Sequence, residues 1–222
     1  MRVVSPLRFP TTSGSGAPGP APSVESFNSK AGGAITTDSL PLTCLEANAV
    51  IVLIGYRATP DPSGVTYAGL PLTHIIAPSV VTGAKVDAWG LLGAPAGTAN
   101  IVVTFPSATV DYGITVVGVK HAGSVGTPVK GTSFGGSPFV LDVPSVSQAL
   151  LLDIHGHWNT YPAPLVGPGQ TEISSLIGSG VGHSSRTSYK QVPEGEDAST
   201  IPMSRQTYAV NSAALAFAVL PA

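Results

Sequence analysis

Apolar residues in this chain either alternate with polar ones or gather in short unbroken runs, and Gly or Pro closes nearly every run. Val50 to Tyr56 is a nearly continuous apolar run with β-branched residues, which predicts a strand buried on both faces or central in a sheet. Three more strands follow at Val65-Thr66-Tyr67, Ile101 to Phe105 and Ile114 to Val119. Between them the turn chemistry is dense. Thr59-Pro60-Asp61-Pro62-Ser63-Gly64 ends the first strand, and Val65 to Thr73 reads as a hairpin with Gly69 supplying the positive-φ position. Lys85 to Leu91 alternates, placing Val86, Ala88 or Trp89 at a sheet face with one solvated side, and a break in the alternation near Trp89-Gly90 predicts a bulge.

Upstream, after Ser26 to Ser29, Ala34 to Thr37 and Leu40 to Leu42 suggest the first short strand and its turn. Downstream candidates are Phe139 to Val143, Ala149 to His155, Thr187 to Gln191 and the closing Ala213, Leu215, Phe217, Val219 alternation. Ala209 to Leu220 is rich in Ala, yet its apolar spacing of two favours a strand over a helix. These segments give about nine to eleven strands with turns at short intervals. The predicted class is all-β: a single β-sandwich, jelly-roll-like, rather than a βαβ fold.

Composition narrows this reading. Charged residues are 10% of the chain against 26 Gly and 21 Pro, so helices with salt-bridged outer faces are not supported. A length of 222 residues suffices for one core. The segment Pro10 to Ser23 cannot bury enough apolar area to offset its ordering entropy, which makes 1–25 an extended Pro/Gly-rich arm and 26–222 the sandwich domain. Such an arm is either a floppy tail or a strap that orders against a neighbouring subunit. A net charge of -2 supplies no phosphate-neutralising stripe, so direct nucleic-acid binding is not expected. Cys44 is the only cysteine, which rules out an intrachain disulfide or a cysteine zinc site and predicts a buried thiol. Met1 to Pro6 lacks the apolar region of a signal peptide, and no run reaches the length of a membrane span; neither export by the general secretory route nor a membrane partner is expected.

The block Gly64 to Leu72, with Trp89 to Thr104 and Val117-Gly118-Val119, resembles a β-sandwich pattern recurrent in virion proteins of tailed bacteriophages. Ala68 stands where that pattern has its first Gly, and Lys120-His121-Ala122 replaces its polar ending. The resemblance implies a non-enzymatic virion structural protein, either a capsid decoration (cement) protein or a tail component, assembled in the host cytoplasm. It further implies other virion proteins as partners, the major capsid protein or tail proteins, and a homo-oligomer. No catalytic, cofactor-binding or metal-binding residue is carried by it. Two other readings stand beside it: a tail or baseplate component contacting host glycans, and a carbohydrate-binding or carbohydrate-acting sandwich domain.

Candidate chemistry concentrates in Asp153-Ile154-His155-Gly156-His157-Trp158, where strand alternation puts Asp153, His155 and His157 on one face. That face suits a metal or an acid–base pair, or else a strand end whose imidazoles meet loops or a subunit interface. His74, His121 and His183 show no ligand spacing. Gly178 to Gly182 lacks both the phosphate-loop ending and the nucleophile elbow. His183, Ser184 and Ser185 are adjacent, which does not by itself build a triad. Glu194, Glu196 and Asp197 read as a solvated loop or a calcium-stabilised one. A carbohydrate-acting enzyme needs two carboxylates facing one cleft, for which Asp153 and Glu172 are the candidates. Trp89, Trp158, Tyr161 and Tyr189 are candidate sugar-stacking rings or core.

Overall fold

A computed structural model describes residues 19–57, 60–109, 111–133, 139–158, 165–177, 182–196, 199–205 and 211–222. The chain is all-β, and no helix occurs among the described residues. Its strands form four antiparallel sheets, in place of the two of a single jelly-roll-like sandwich.

The first half of the chain builds two of them. Sheet I contains β2 (Ile35–Cys44), β8 (Gly97–Thr109), β4 (Gly64–Tyr67) and β5 (Leu70–Pro71), in that order. Sheet II contains β1 (Ser23–Gly32), β9 (Tyr112–Lys120), β3 (Ala49–Tyr56), β7 (Ala84–Leu92) and β6 (Thr73–Val81). The second half builds the other two. In sheet III the order is β10 (Ala122–Val125), β17 (Ser212–Pro221), β13 (Leu150–His157), β15 (Ser184–Gln191) and β14 (Thr171–Ile177), with β11 (Val129–Ser133) also on β17. Sheet IV is the pair β12 (Phe139–Pro144) and β16 (Thr200–Arg205).

Side-chain alternation stacks the sheets in the order I, II, III, IV. Val50, Val52, Ile54 and Tyr56 of β3 point into a core shared with Leu40, Val65, Ile101 and Val103 of sheet I. Ala49, Ile51 and Leu53 point the other way, into a core shared with Leu150, Leu152, Leu215 and Phe217 of sheet III. The continuous apolar run at 50–56 is therefore what a strand between two layers requires. β17 repeats the arrangement: Leu215, Phe217 and Val219 face sheet II, while Ala214, Ala216 and Ala218 face Leu141, Val143, Ile201 and Met203 of sheet IV. Small residues on one face let sheet IV approach closely. Cys44 is buried in the I/II core, as its isolation in the sequence suggested.

Local expectations meet their outcomes at particular residues. β7 is continuous in register with β3, and both of its faces are covered: Val86 and Ala88 lie in the II/III core while Asp87 is also buried. The irregularity expected near Trp89 exists, but the extra residues sit on β6, where the register slips between His74 and Ile76 and again before Ser79. Residues 1–18 of the expected arm lie outside the described residues, and β1 begins at Ser23, inside the 1–25 segment assigned to that arm. Pro41, Pro78 and Pro202 fall in β2, β6 and β16, each paired on one side only within its sheet, where a missing N–H is tolerated.

Candidate functional site

β13 is apolar for its first half and polar for its second, and the change happens on one face. Leu151 packs against sheet IV, whereas Asp153, His155 and His157, which follow at intervals of two, carry the same face into a polar cluster. β15 supplies their cross-strand neighbours: Asp153 pairs Ser188, His155 pairs Arg186 and His157 pairs Ser184. The alternation read from the sequence thus places the three residues together.

What they contact is mostly protein cation and hydroxyl. Asp153 Oδ1 accepts from Arg205 Nη2 at 2.6 Å and from Ser188 Oγ at 2.6 Å, and Oδ2 accepts from Gln170 Nε2 at 3.3 Å. Arg205 reaches over from sheet IV and also donates to Ser188 Oγ at 2.9 Å. Ser184 Oγ lies 2.8 Å from His157 Nε2. His155 has Phe139 edge-on at 5.7 Å and the His157 ring at 6.4 Å, and neither of its ring nitrogens has a hydrogen-bond partner. Asp153 is 4% exposed, His155 and His157 0% and Arg205 2%. Burial, reinforced by the charges of Arg205, His157 and Arg186, holds His155 well below the ordinary imidazole range, so it is neutral. Among the described residues no group of three His, Cys, Asp or Glu side chains is placed to hold a metal. The Asp153 carboxylate is instead an ion-pair partner.

Glu172 joins the same face, since both it and Asp153 register with Ser188. The pair of carboxylates that a glycoside-cleaving site would need therefore shares a face, but each is engaged: Glu172 by Arg186 at 3.3 Å, Asp153 by Arg205. The adjacent residues His183, Ser184 and Ser185 are split between the faces of sheet III. Ser184 turns toward His157, while His183 and Ser185 lie against Gly55 and Gly113 of sheet II. A Cβ on Gly55 would fall 2.6 Å from His183 Nε2, and one on Gly113 would fall 2.6 Å from Ser185 Oγ. These strand glycines are required by close approach. Thr115, Ser174 and Thr187 continue this layer as a chain of hydroxyls at 2.6 and 3.3 Å. His183 is enclosed there without a partner on either nitrogen, and burial, with His157 nearby, pushes it down to about 3.

The remaining candidates are dispersed. Glu194 and Glu196 are exposed at a turn around Gly195, whose N–H donates to Ser147 Oγ; Asp197 lies outside the described residues. Of Gly178 to Gly182 only Gly182 is described, set against the Trp158 ring. Trp158 is 40% exposed at the end of β13 beneath Arg57, whereas Trp89 lies in the first half and Tyr189 against the II/III core, so these three described rings share no platform. Tyr161 lies outside the described residues.

One cluster escaped sequence reasoning. Asp87, fully buried, accepts from Ala88 N at 2.8 Å and Trp89 Nε1 at 3.1 Å and pairs with His74 Nε2, while the His74 ring stacks on Trp89 at 4.5 Å. Close by, Asp61 takes the Tyr56 hydroxyl and Lys85 Nζ, both at 2.9 Å. The Lys85, Asp87, Trp89 alternation was visible, but His74 comes from another strand and nothing in the sequence signals that pairing. The dyad fixes the His74 ring and gives a buried carboxylate a hydrogen-bond partner.

No family model, curated protein or solved structure matches the chain.

Proposed function

We propose that this chain is a non-enzymatic structural protein of a virus particle, a decoration or cement protein on the capsid of a tailed phage. The observation that carries this reading is the state of its most reactive side chains. Asp153, Arg205, His155 and His157 are enclosed between sheets III and IV, and the first two spend their charges on each other. A catalytic acid or base needs a reactant within hydrogen-bond reach, and groups sealed between two layers serve the layers. The charge-poor composition and the resemblance of the 64–104 region to virion sandwiches support the same reading. In it, the jelly-roll-like unit is replaced by two sandwiches back to back, whose outer sheets I and IV meet neighbours, and the protein works as a homo-oligomer.

The test is cryo-electron microscopy of particles from the phage or prophage encoding the chain, with copy number by mass spectrometry. Symmetric copies over the shell support the reading; absence from the particle ends it. A few copies at the tail favour the second reading, a tail or baseplate component that contacts host glycans. That reading draws on Trp158, half-exposed at the strand end and covered by Arg57 at 5.2 Å. It predicts glycan-array binding that Trp158→Ala abolishes.

A further inference from the structure

Each face of sheet III encloses one histidine with both ring nitrogens unbonded, His183 toward sheet II and His155 toward sheet IV. A buried polar group without a partner is rare, and one that gains a charge on acidification is an unstable element of a packed layer. The two seams differ in what would oppose that charge. Facing His155 are Asp153 and His157 from its own strand, Arg186 from β15, Arg205 from β16 and the Phe139 edge from β12, with Ala214 opposite on β17. The carboxylate in that set, Asp153, already accepts from Arg205, Ser188 and Gln170. An imidazolium at this place would sit beside two guanidinium ions with no acceptor assigned to it.

The layer over His155 is also the slightest of the four. Sheet IV has two strands, held to sheet III by Phe139, Leu141, Val143, Ile201 and Met203 on a floor of alanines, by Arg205 on Asp153 and Ser188, and at one end by the Val166–Arg205 bridge and Gln170, which accepts from Ser204 N. His183, by contrast, lies between a five-stranded and a six-stranded sheet, and His157, on the other face of sheet III, is the titratable group whose charge reaches it.

We propose that His155 is an acid-operated latch: its protonation releases sheet IV from sheet III while the first sandwich stays closed. The released state keeps sheets I and II intact and uncovers the apolar face of β12 and β16, the face a neighbouring chain or particle surface would meet. Burial and the neighbouring guanidinium charges both oppose protonation in the closed state, so proton uptake and opening are one event.

The chain carries its own reporters. Met203 is 1% exposed on the inner face of β16, and the single cysteine, Cys44, is 0% exposed between sheets I and II. The full chain is treated with hydrogen peroxide between pH 7.5 and 5, Met203 sulfoxide is measured by peptide mass with N-acetylmethionine as the reference, and Cys44 is labelled in parallel with an acid-tolerant dithiodipyridine. One linked proton raises Met203 oxidation roughly tenfold per pH unit below about 6.5, with Cys44 labelling flat. His155→Gln abolishes that slope whatever its absolute rate, and His183→Gln retains it. A flat Met203 profile, a parallel rise at Cys44, or an unchanged slope in His155→Gln overturns the proposal. Should His155→Gln not fold, amide exchange of the wild type decides: 139–144 and 200–205 must accelerate on acidification, corrected for intrinsic rate, ahead of 49–56.

Discussion

The two halves of this protein are built alike and stabilised differently. In the β1–β9 sandwich each pair has one member that water reaches: Lys30 is 49% exposed over buried Asp38, Asp61 is 53% exposed beside Lys85, and His74 is 35% exposed over buried Asp87. The core between its two sheets is mostly Val, Ile and Leu, with Phe105 and three tyrosines. In the β10–β17 sandwich the ion pair Asp153–Arg205 lies between the sheets with His155 and His157, and alanines take the place of large apolar side chains on the face of β17 that meets sheet IV. The same architecture can therefore rest on burial of apolar area or on completeness of a polar network. A network tolerates the loss of a member far less well than a rim does.

The sharpest way to break the comparison is to remove one partner from each kind of pair. Asp153→Ala leaves the Arg205 guanidinium buried and uncompensated, with an expected loss of about 3–5 kcal/mol, whereas Lys85→Met at the exposed rim costs under about 1 kcal/mol. Urea unfolding of both variants measures this. The double change Asp153→Leu with Arg205→Met restores most of the loss, because neither charge is then stranded. Equal losses at the two sites would erase the distinction between the halves.

Acid separates the halves next, and the direction follows from proton counts. His155 and His183 bind protons less readily folded than unfolded, so their contribution is complete above the ordinary value of 6.5 and declines as pH falls through it. By pH 5 that decline is about 2 kcal/mol for each histidine. At the rims, burial raises Asp38 and Asp61, but hydrogen bonds and charge from Lys30 and Tyr112, and from Lys85 and Tyr56, outweigh it and leave both lowered. A lowered carboxylate contributes fully above its ordinary 3.8 and is lost only as pH falls below that. Urea midpoints measured from pH 8 to 4 should therefore fall from near neutrality, and most of that fall should vanish in a His155→Gln, His183→Gln double variant.

Much of this was legible from the residue pattern. Apolar runs at 50–56 and 150–154 and the alternation at 213–219 report strands with defined faces, and a continuous run already states that both faces are covered. The grouping of Asp153, His155 and His157 follows from the same period. The layer count does not, because which sheet a face meets depends on long-range pairing. Nor were β14 and β16 visible, since Thr171–Ile177 is largely polar and Thr200–Arg205 carries a proline; both are strands because a neighbour pairs with them. Arg205 was the decisive omission: it is a lone basic residue at the end of an unrecognised strand, and only the stacking of sheet IV brings it to Asp153.

The seam between the halves offers a smaller effect. Gly55→Ala drives a methyl toward His183 Nε2 and Ser185 Cβ, at 2.6 and 2.8 Å, so sheets II and III must separate locally. Overpacking of this kind costs typically about 1–3 kcal/mol, offset in part by the lower chain entropy of Ala, and the net loss of about 1–2 kcal/mol is read from thermal unfolding. His183→Ala in the same background should recover part of it, which an effect confined to β3 would not permit.

The smallest effect lies in the first half and has the opposite sign. The hairpin between β4 and β5 turns on Ala68 and Gly69, with φ of 51° and 80°, while Tyr67 and Leu70 pair across it. A two-residue turn with both central residues at positive φ is the type that matches strand twist, and Gly is at ease there whereas Ala meets its own carbonyl. This is the position at which the chain departs from the Gly of the virion pattern. Ala68→Gly relieves about 1 kcal/mol of backbone strain and adds back a fraction of that in unfolded-chain entropy. The expected net gain of about 0.5 kcal/mol appears as a higher urea midpoint with an unchanged slope. Because the turn belongs to sheet I alone, the gain should leave the pH dependence of stability unaltered, and a variant that shifted it would mean that the two sandwiches are less independent than their separate polar chemistry implies.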